Sequence, residues 1–199
     1  VSTLQAYFEG RKDLFKGLFI ETVEKEWTEY PILRFSLSTA KHCNKEELLL
    51  ELSNKLTRYE EIYGKGAADE VKPNQRLKGI IERAYKKTGK KVVILIDEYD
   101  KPIVNNLDNK DLSDYYRSVL QGFYGVIKSM GEQTKFCFLT GVSKIGKLSV
   151  FSTLNNLTDI SMEPEYSGIC GISENDLHKY FEDSITELAD ANRLSIDEC

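Results

Sequence analysis

The chain has 199 residues, 41% hydrophobic and 30% charged, with a net charge of -5. That mixture belongs to an ordinary soluble globular protein and excludes a disordered chain, while the acidic balance makes nucleic acid a poor default partner. Four scattered cysteines, Cys43, Cys137, Cys170 and Cys199, make no Cys-x-x-Cys pair and join no histidine cluster, which excludes a zinc ribbon or disulfide framework and predicts a reduced, cytoplasmic setting.

In chain order, Val1 to Phe8 reads as a short helix with Leu4, Tyr7 and Phe8 on one face. Ile32 to Leu37 alternates apolar and polar residues after Pro31, the pattern of a half-buried strand near a sheet edge. Asn44 with Glu47 three residues on marks a helix start, and Leu48, Leu52, Leu56, Tyr59 and Tyr63 then repeat at helical spacing until Gly64. A second helix over Gln75 to Thr88 carries Leu77, Ile80, Ile81, Ala84 and Tyr85 and stops at Gly89.

Val92 to Asp100 reads Val-Val-Ile-Leu-Ile-Asp-Glu-Tyr-Asp. Five apolar residues without alternation are expected of a strand buried on both faces, as in a parallel sheet covered by helices. Its two adjacent acids, Asp97 and Glu98, fall at the strand's C-terminal end, the edge of an open α/β sheet where ligands bind. A long helix follows over Asp111 to Met130, then a strand over Phe136 to Leu139 that ends at Thr140 and Gly141. Ser167 to Ile172 is a candidate last strand, and Ser173 with Asp176 starts a helix bearing Leu177, Tyr180, Phe181, Ile185 and Leu188. This alternation predicts an α/β fold with a mainly parallel sheet flanked by helices. No apolar stretch approaches the ~18 residues that cross a bilayer, so no membrane span is expected.

An acid at the end of a buried strand can hold a hydrated Mg²⁺, because that ion prefers one or two carboxylates with waters and phosphates. The acid beside it can orient a water for attack on a γ-phosphate. Asp97 and Glu98 therefore suit a Walker B strand, although any buried strand must emerge somewhere and an acid often caps it. The order strand, helix, polar-tipped strand adds Thr140 as a candidate sensor of the γ-phosphate, against the bland reading of a strand terminus.

These motifs together resemble the bacterial AAA-ATPase-like family. The resemblance rests on Val93 to Ile103, on Phe138 to Lys144 with Leu148 to Ser152 and Leu154 to Ile160, and on Cys170 to Leu177; Val1 to Phe8 and Phe15 to Ile20 match as well. It implies a P-loop NTPase domain of AAA+ type that uses ATP and Mg²⁺, with Asp97 on the metal, Glu98 activating water and Thr140 at the γ-phosphate. It also implies a nuclease-like C-terminal domain in cis. In the family the first helix follows a phosphate-binding loop, yet no Gly-Lys-Ser or Gly-Lys-Thr occurs among these residues, and Gly146-Lys147 is followed by Leu148.

The chain is accordingly expected to be a piece of a longer protein. It would lack the first strand and the P-loop, bind ATP weakly by itself, and self-associate through the exposed strand. The expected division is a partial ATPase-like domain over 1–172 and a helical segment over 173–199. Lys144 and Lys147 either reach phosphates or are solvated loop lysines, Asp100 either assists the metal or steadies the turn before Pro102, and Arg117 is an arginine finger in trans or an ordinary helix residue. The competing function is a nucleotide-regulated or degenerate interaction scaffold without turnover. A metal nuclease site built from Asp97, Glu98 and Asp100 is weaker, because no Glu-x-Lys strand accompanies them.

Overall fold

The computed structural model describes residues 1–38, 42–142, 157–169 and 171–195. The chain divides into two compact units, Val1–Asn156 and Leu157–Cys199.

Three parallel strands form the sheet of the first unit, β1 (Ile32–Ser36), β2 (Val92–Asp97) and β3 (Thr134–Leu139), in the order β1-β2-β3. Val92 to Ile96 are wholly withdrawn from solvent, as their unbroken apolar run requires, because β2 is central and both its faces are covered. Each such side chain contributes about 1.5–3 kcal/mol relative to exposure. The register pairs Leu33 with Ile94 and Phe35 with Ile96 on one side, and Cys137 and Leu139 of β3 with the same two β2 residues on the other.

On one face of the sheet Phe35 meets Phe123 at 5.4 Å and Tyr59 at 5.6 Å between ring centroids. These rings come from α6 (Lys110–Ser129) and α3 (Lys45–Tyr63), which form a helical layer with α4 (Pro73–Thr88). The opposite face carries α1 (Ser2–Phe8), whose Phe8 packs on Val93 and Leu95 and lies 5.2 Å from the Phe136 ring. The expected α/β fold with a parallel sheet flanked by helices is therefore present.

Local chemistry explains the helix bounds. The Asn44 side chain accepts from the Glu46 and Glu47 N–H groups, and α3 stops at Gly64 with φ 98°. Glu47 does not bond back to the Asn44 N–H, as a reciprocal capping box would have it; its carboxylate accepts from the Cys43 N–H at 2.9 Å instead. Gly89 ends α4 in the left-handed region, φ 66°, where a side chain would be strained. Arg76 ties α4 to α3 by bonding Glu60 at 2.7 and 2.8 Å and Ser53 at 2.6 Å.

The two edges of the sheet differ. The Tyr59 hydroxyl accepts from the Arg34 N–H at 2.6 Å and donates to the Arg34 carbonyl at 2.8 Å. Arg34 is a β1 residue whose backbone points away from β2, so α3 satisfies part of that edge with a side chain. Among the described residues no strand pairs with the outer edge of β3.

Among the described residues two α-helices lie outside the sequence reading, α2 (Phe19–Val23) and α5 (Lys101–Val104), each of a single turn or little more. In the second unit the expected helix after Ser173 is two, α7 (Glu174–Tyr180) and α8 (Glu182–Asn192), with Phe181 at φ -127° between them. The Ser173–Asp176 capping box is formed. The expected strand over Ser167 to Ile172 is corrected: its described residues lie in turns, and Ile169 and Ile172 are exposed. Gly168 and Gly171 deprive that stretch of side chains to pack, and among the described residues no strand pairs with it.

Candidate functional site

The site is assembled by the adjacent C-terminal ends of β2 and β3. Parallel pairing brings both ends to the same edge of the sheet, and the register sets Ile96 opposite Leu139, so Asp97 and Thr140 leave their strands side by side. The Thr140 hydroxyl donates to Asp97 Oδ1 at 2.6 Å. The Thr140 main chain is engaged too: its N–H donates to the Ile96 carbonyl at 2.9 Å, and its carbonyl accepts from the Tyr99 N–H at 2.9 Å. Three bonds thus clamp Thr140 across the Asp97–Glu98 peptide.

Glu98 turns the chain in the left-handed region, φ 53°. A side chain there costs on the order of 1–3 kcal/mol, a strain that folded proteins concentrate at working sites. Its Oε2 is withdrawn from solvent without a hydrogen bond, 3.7 Å from the Lys101 ammonium. A buried carboxylate oxygen left with acceptor capacity suits a water or another polar ligand.

Asp100 is fully buried. Its Oδ1 accepts from the Val142 N–H at 3.2 Å, joining the exit of β2 to that of β3. Behind it the buried Tyr124 donates its hydroxyl to the Tyr99 carbonyl at 3.1 Å. Burial, followed by the nearby Asp100 charge, pushes the Tyr99 phenol up to about 12. Gly141 makes this closeness feasible, since a Cβ there would fall 2.5 Å from the Tyr99 ring and 2.6 Å from Asp100 Oδ1.

The structure thus brings Asp97, Glu98, Asp100 and Thr140 together. Lys144 and Lys147, with the matching stretch from Ser143 to Asn156, lie outside the described residues. Arg117 is on α6, paired with Asp114. Among the described residues no three His, Cys, Asp or Glu side chains group to hold a metal ion, so they offer no all-protein cage. The hard oxygen donors of Asp97 and Glu98 fit Mg²⁺, which keeps most of its waters and needs only one or two carboxylates.

His42 gave no sequence signal beyond being an isolated histidine, yet it is fully buried and bonded to Glu51 at 2.7 Å. Glu51 also pairs with Lys55 at 3.3 Å, and Asn106 donates to the His42 carbonyl at 3.0 Å. The pair fastens the loop after β1 to α3. Nine residues separate its members, a spacing that belongs to no recognised pattern.

The family described as predicted AAA-ATPase matches residues 1–151. A protein of Azotobacter chroococcum mcd 1, described as an uncharacterized protein in the vnfD 5′ region, is 36% identical over 182 residues, which cover 91% of this chain and 35% of that protein. The chain thus spans about a third of that relative's length. No solved structure matches it.

Proposed function

Because the chain belongs to the predicted AAA-ATPase family, we propose that its sheet domain serves an ATP site and that the ends of β2 and β3 supply the half facing metal and water. The observation that carries this reading is the 2.6 Å bond between Thr140 and Asp97 beside the strained Glu98. It unites the metal-holding, water-activating and sensing groups that hydrolysis of a γ-phosphate needs, on the edge where α/β sheets bind ligands.

In this reading Asp97 uses the carboxylate oxygen not engaged by Thr140 to hold the hydration shell of Mg²⁺. Mg²⁺ supplies neutralisation of the charge that develops on the phosphates. Glu98 orients the attacking water and takes its proton. The water oxygen bonds to the γ-phosphorus while the bond to the β–γ bridging oxygen breaks, giving ADP and phosphate. Thr140 registers the presence of the γ-phosphate, and Lys144 is proposed to reach the phosphates. The phosphate-gripping loop that the 199 residues do not contain would come from elsewhere in the protein, so the chain alone would bind ATP weakly.

The test uses the full-length protein with Glu98→Gln. Retained ATP binding with lost turnover supports the enzyme; a wild-type protein that neither binds nor hydrolyses ATP overturns it in favour of an interaction scaffold. Calorimetric titration of the 199-residue chain with ATP and Mg²⁺ checks the second point, and micromolar affinity would sink it.

A further inference from the structure

Asp100 occupies the N-terminal flanking position of α5, where an aspartate normally bonds the first free N–H groups of its own helix. It makes no such bond. Its Oδ1 instead reaches Val142, 42 positions along the chain, on the segment leaving β3. Burying a polar side chain completely is costly unless it is hydrogen-bonded, and the bond to Val142 meets that need where capping does not.

The segment it holds is Thr140-Gly141-Val142. Thr140 is fixed by Ile96, Tyr99 and Asp97, and Val142 by Asp100, so four hydrogen bonds lay this tripeptide against Ile96 to Asp100. Gly141 is the hinge between the two anchored residues, and its missing side chain lets the tripeptide lie directly over Tyr99 and Asp100. The Val142 side chain is largely exposed. Its backbone N–H is therefore the structurally important group at that position.

We propose that Asp100 is a positioning residue for Thr140. By holding the Val142 N–H it fixes the direction in which the chain leaves β3, and so keeps the Thr140 hydroxyl aimed at Asp97. The proposal rests on the reading of Asp97 and Thr140 as the metal and γ-phosphate face. It assigns Asp100 a partner in the protein backbone and leaves the metal to Asp97.

The experiment compares Asp100→Ala, Asp100→Asn and Val142→Pro with the wild-type full-length protein. It measures ATP turnover against ATP and Mg²⁺ concentration, and amide hydrogen exchange across residues 139–142. One hydrogen bond is about 0.5–1.5 kcal/mol, up to about tenfold. Asp100→Ala is expected to lower kcat about tenfold, with KM for ATP and half-saturating Mg²⁺ little changed, and to speed Val142 exchange similarly. Asp100→Asn keeps an acceptor oxygen and should recover most of that loss, whereas Val142→Pro removes the donor and should reproduce it.

A raised Mg²⁺ requirement in both Asp100 variants overturns the proposal in favour of a metal ligand. Unchanged exchange in Asp100→Ala overturns it outright. Should the wild-type protein hydrolyse no ATP, the functional reading fails separately, and the exchange rates alone decide whether Asp100 fixes this segment.

Discussion

Thr140 and Asp97 meet at 2.6 Å across 43 positions of sequence, hydroxyl to carboxylate, at the mouth of two parallel strands. The contact depends on the register of β2 with β3, which also brings the Tyr99 N–H to the Thr140 carbonyl. Thr140→Val keeps the shape and deletes the donor. In the full-length protein it is expected to reduce kcat about tenfold, the scale of one hydrogen bond, while Thr140→Ser retains activity. Steady-state ATPase assays distinguish the two.

Glu98→Gln is expected to leave ATP binding intact and lower turnover by roughly 10²–10⁴-fold, the range for loss of a positioned general base. Filter binding alongside phosphate release is the measurement. Comparable loss of binding would remove Glu98 from the proposed role.

The left-handed backbone of Glu98 gives a separate expectation. Asparagine tolerates φ 53° better than glutamate does, so Glu98→Asn should stabilise the fold by about 0.5–1 kcal/mol while abolishing turnover. Urea unfolding read beside activity checks the opposition of the two effects.

Gly141→Ala should destabilise the chain by about 1–3 kcal/mol, the usual cost of overpacking, because the added methyl meets both Tyr99 and Asp100. The denaturation midpoint should fall with no change in slope. An unaltered midpoint would contradict the close approach of these segments.

The Arg76 guanidinium holds the Glu60 carboxyl below its ordinary value of 4.5, outweighing the opposing effect of desolvation. A carboxyl depressed in the folded state stabilises fully above its unfolded pKa, and that contribution fades as pH falls through the folded value. The stability gap between wild type and Arg76→Gln should therefore be widest above the ordinary carboxyl value of 4.5 and shrink as the pH falls below it. Urea midpoints across pH 7 to 3 provide the check.

What could be read from sequence follows how local the determining interactions are. The β2 run, the Asn44 start of α3 and the Gly89 stop of α4 each rest on a few neighbouring residues, and the observed bounds follow them. Asp97 and Glu98 were legible as candidates from the apolar run they end, and Thr140 from the order of elements, but their bonding needed the register. Asp100 was ambiguous because its partner is a backbone N–H, and backbone groups leave no trace in a side-chain pattern. Phe181 interrupts the last helices without glycine or proline to announce it. The apparent strand at Ser167 to Ile172 looked apolar enough, yet a strand exists only where another chain segment accepts its hydrogen bonds.

The bond from Tyr59 to both backbone groups of Arg34 gives the sheet a direction of growth. A phenol seated on the rail of β1 denies an incoming extended segment its first pair of rungs, whereas the far side of β3 carries no such guard among the described residues. A strand that joins this sheet meets that guard at Arg34 and, among the described residues, none along Thr134–Leu139, the strand whose tip bears Thr140. A newcomer on that side would lie against the strand that carries Thr140, and so would bear on the Thr140–Asp97 contact.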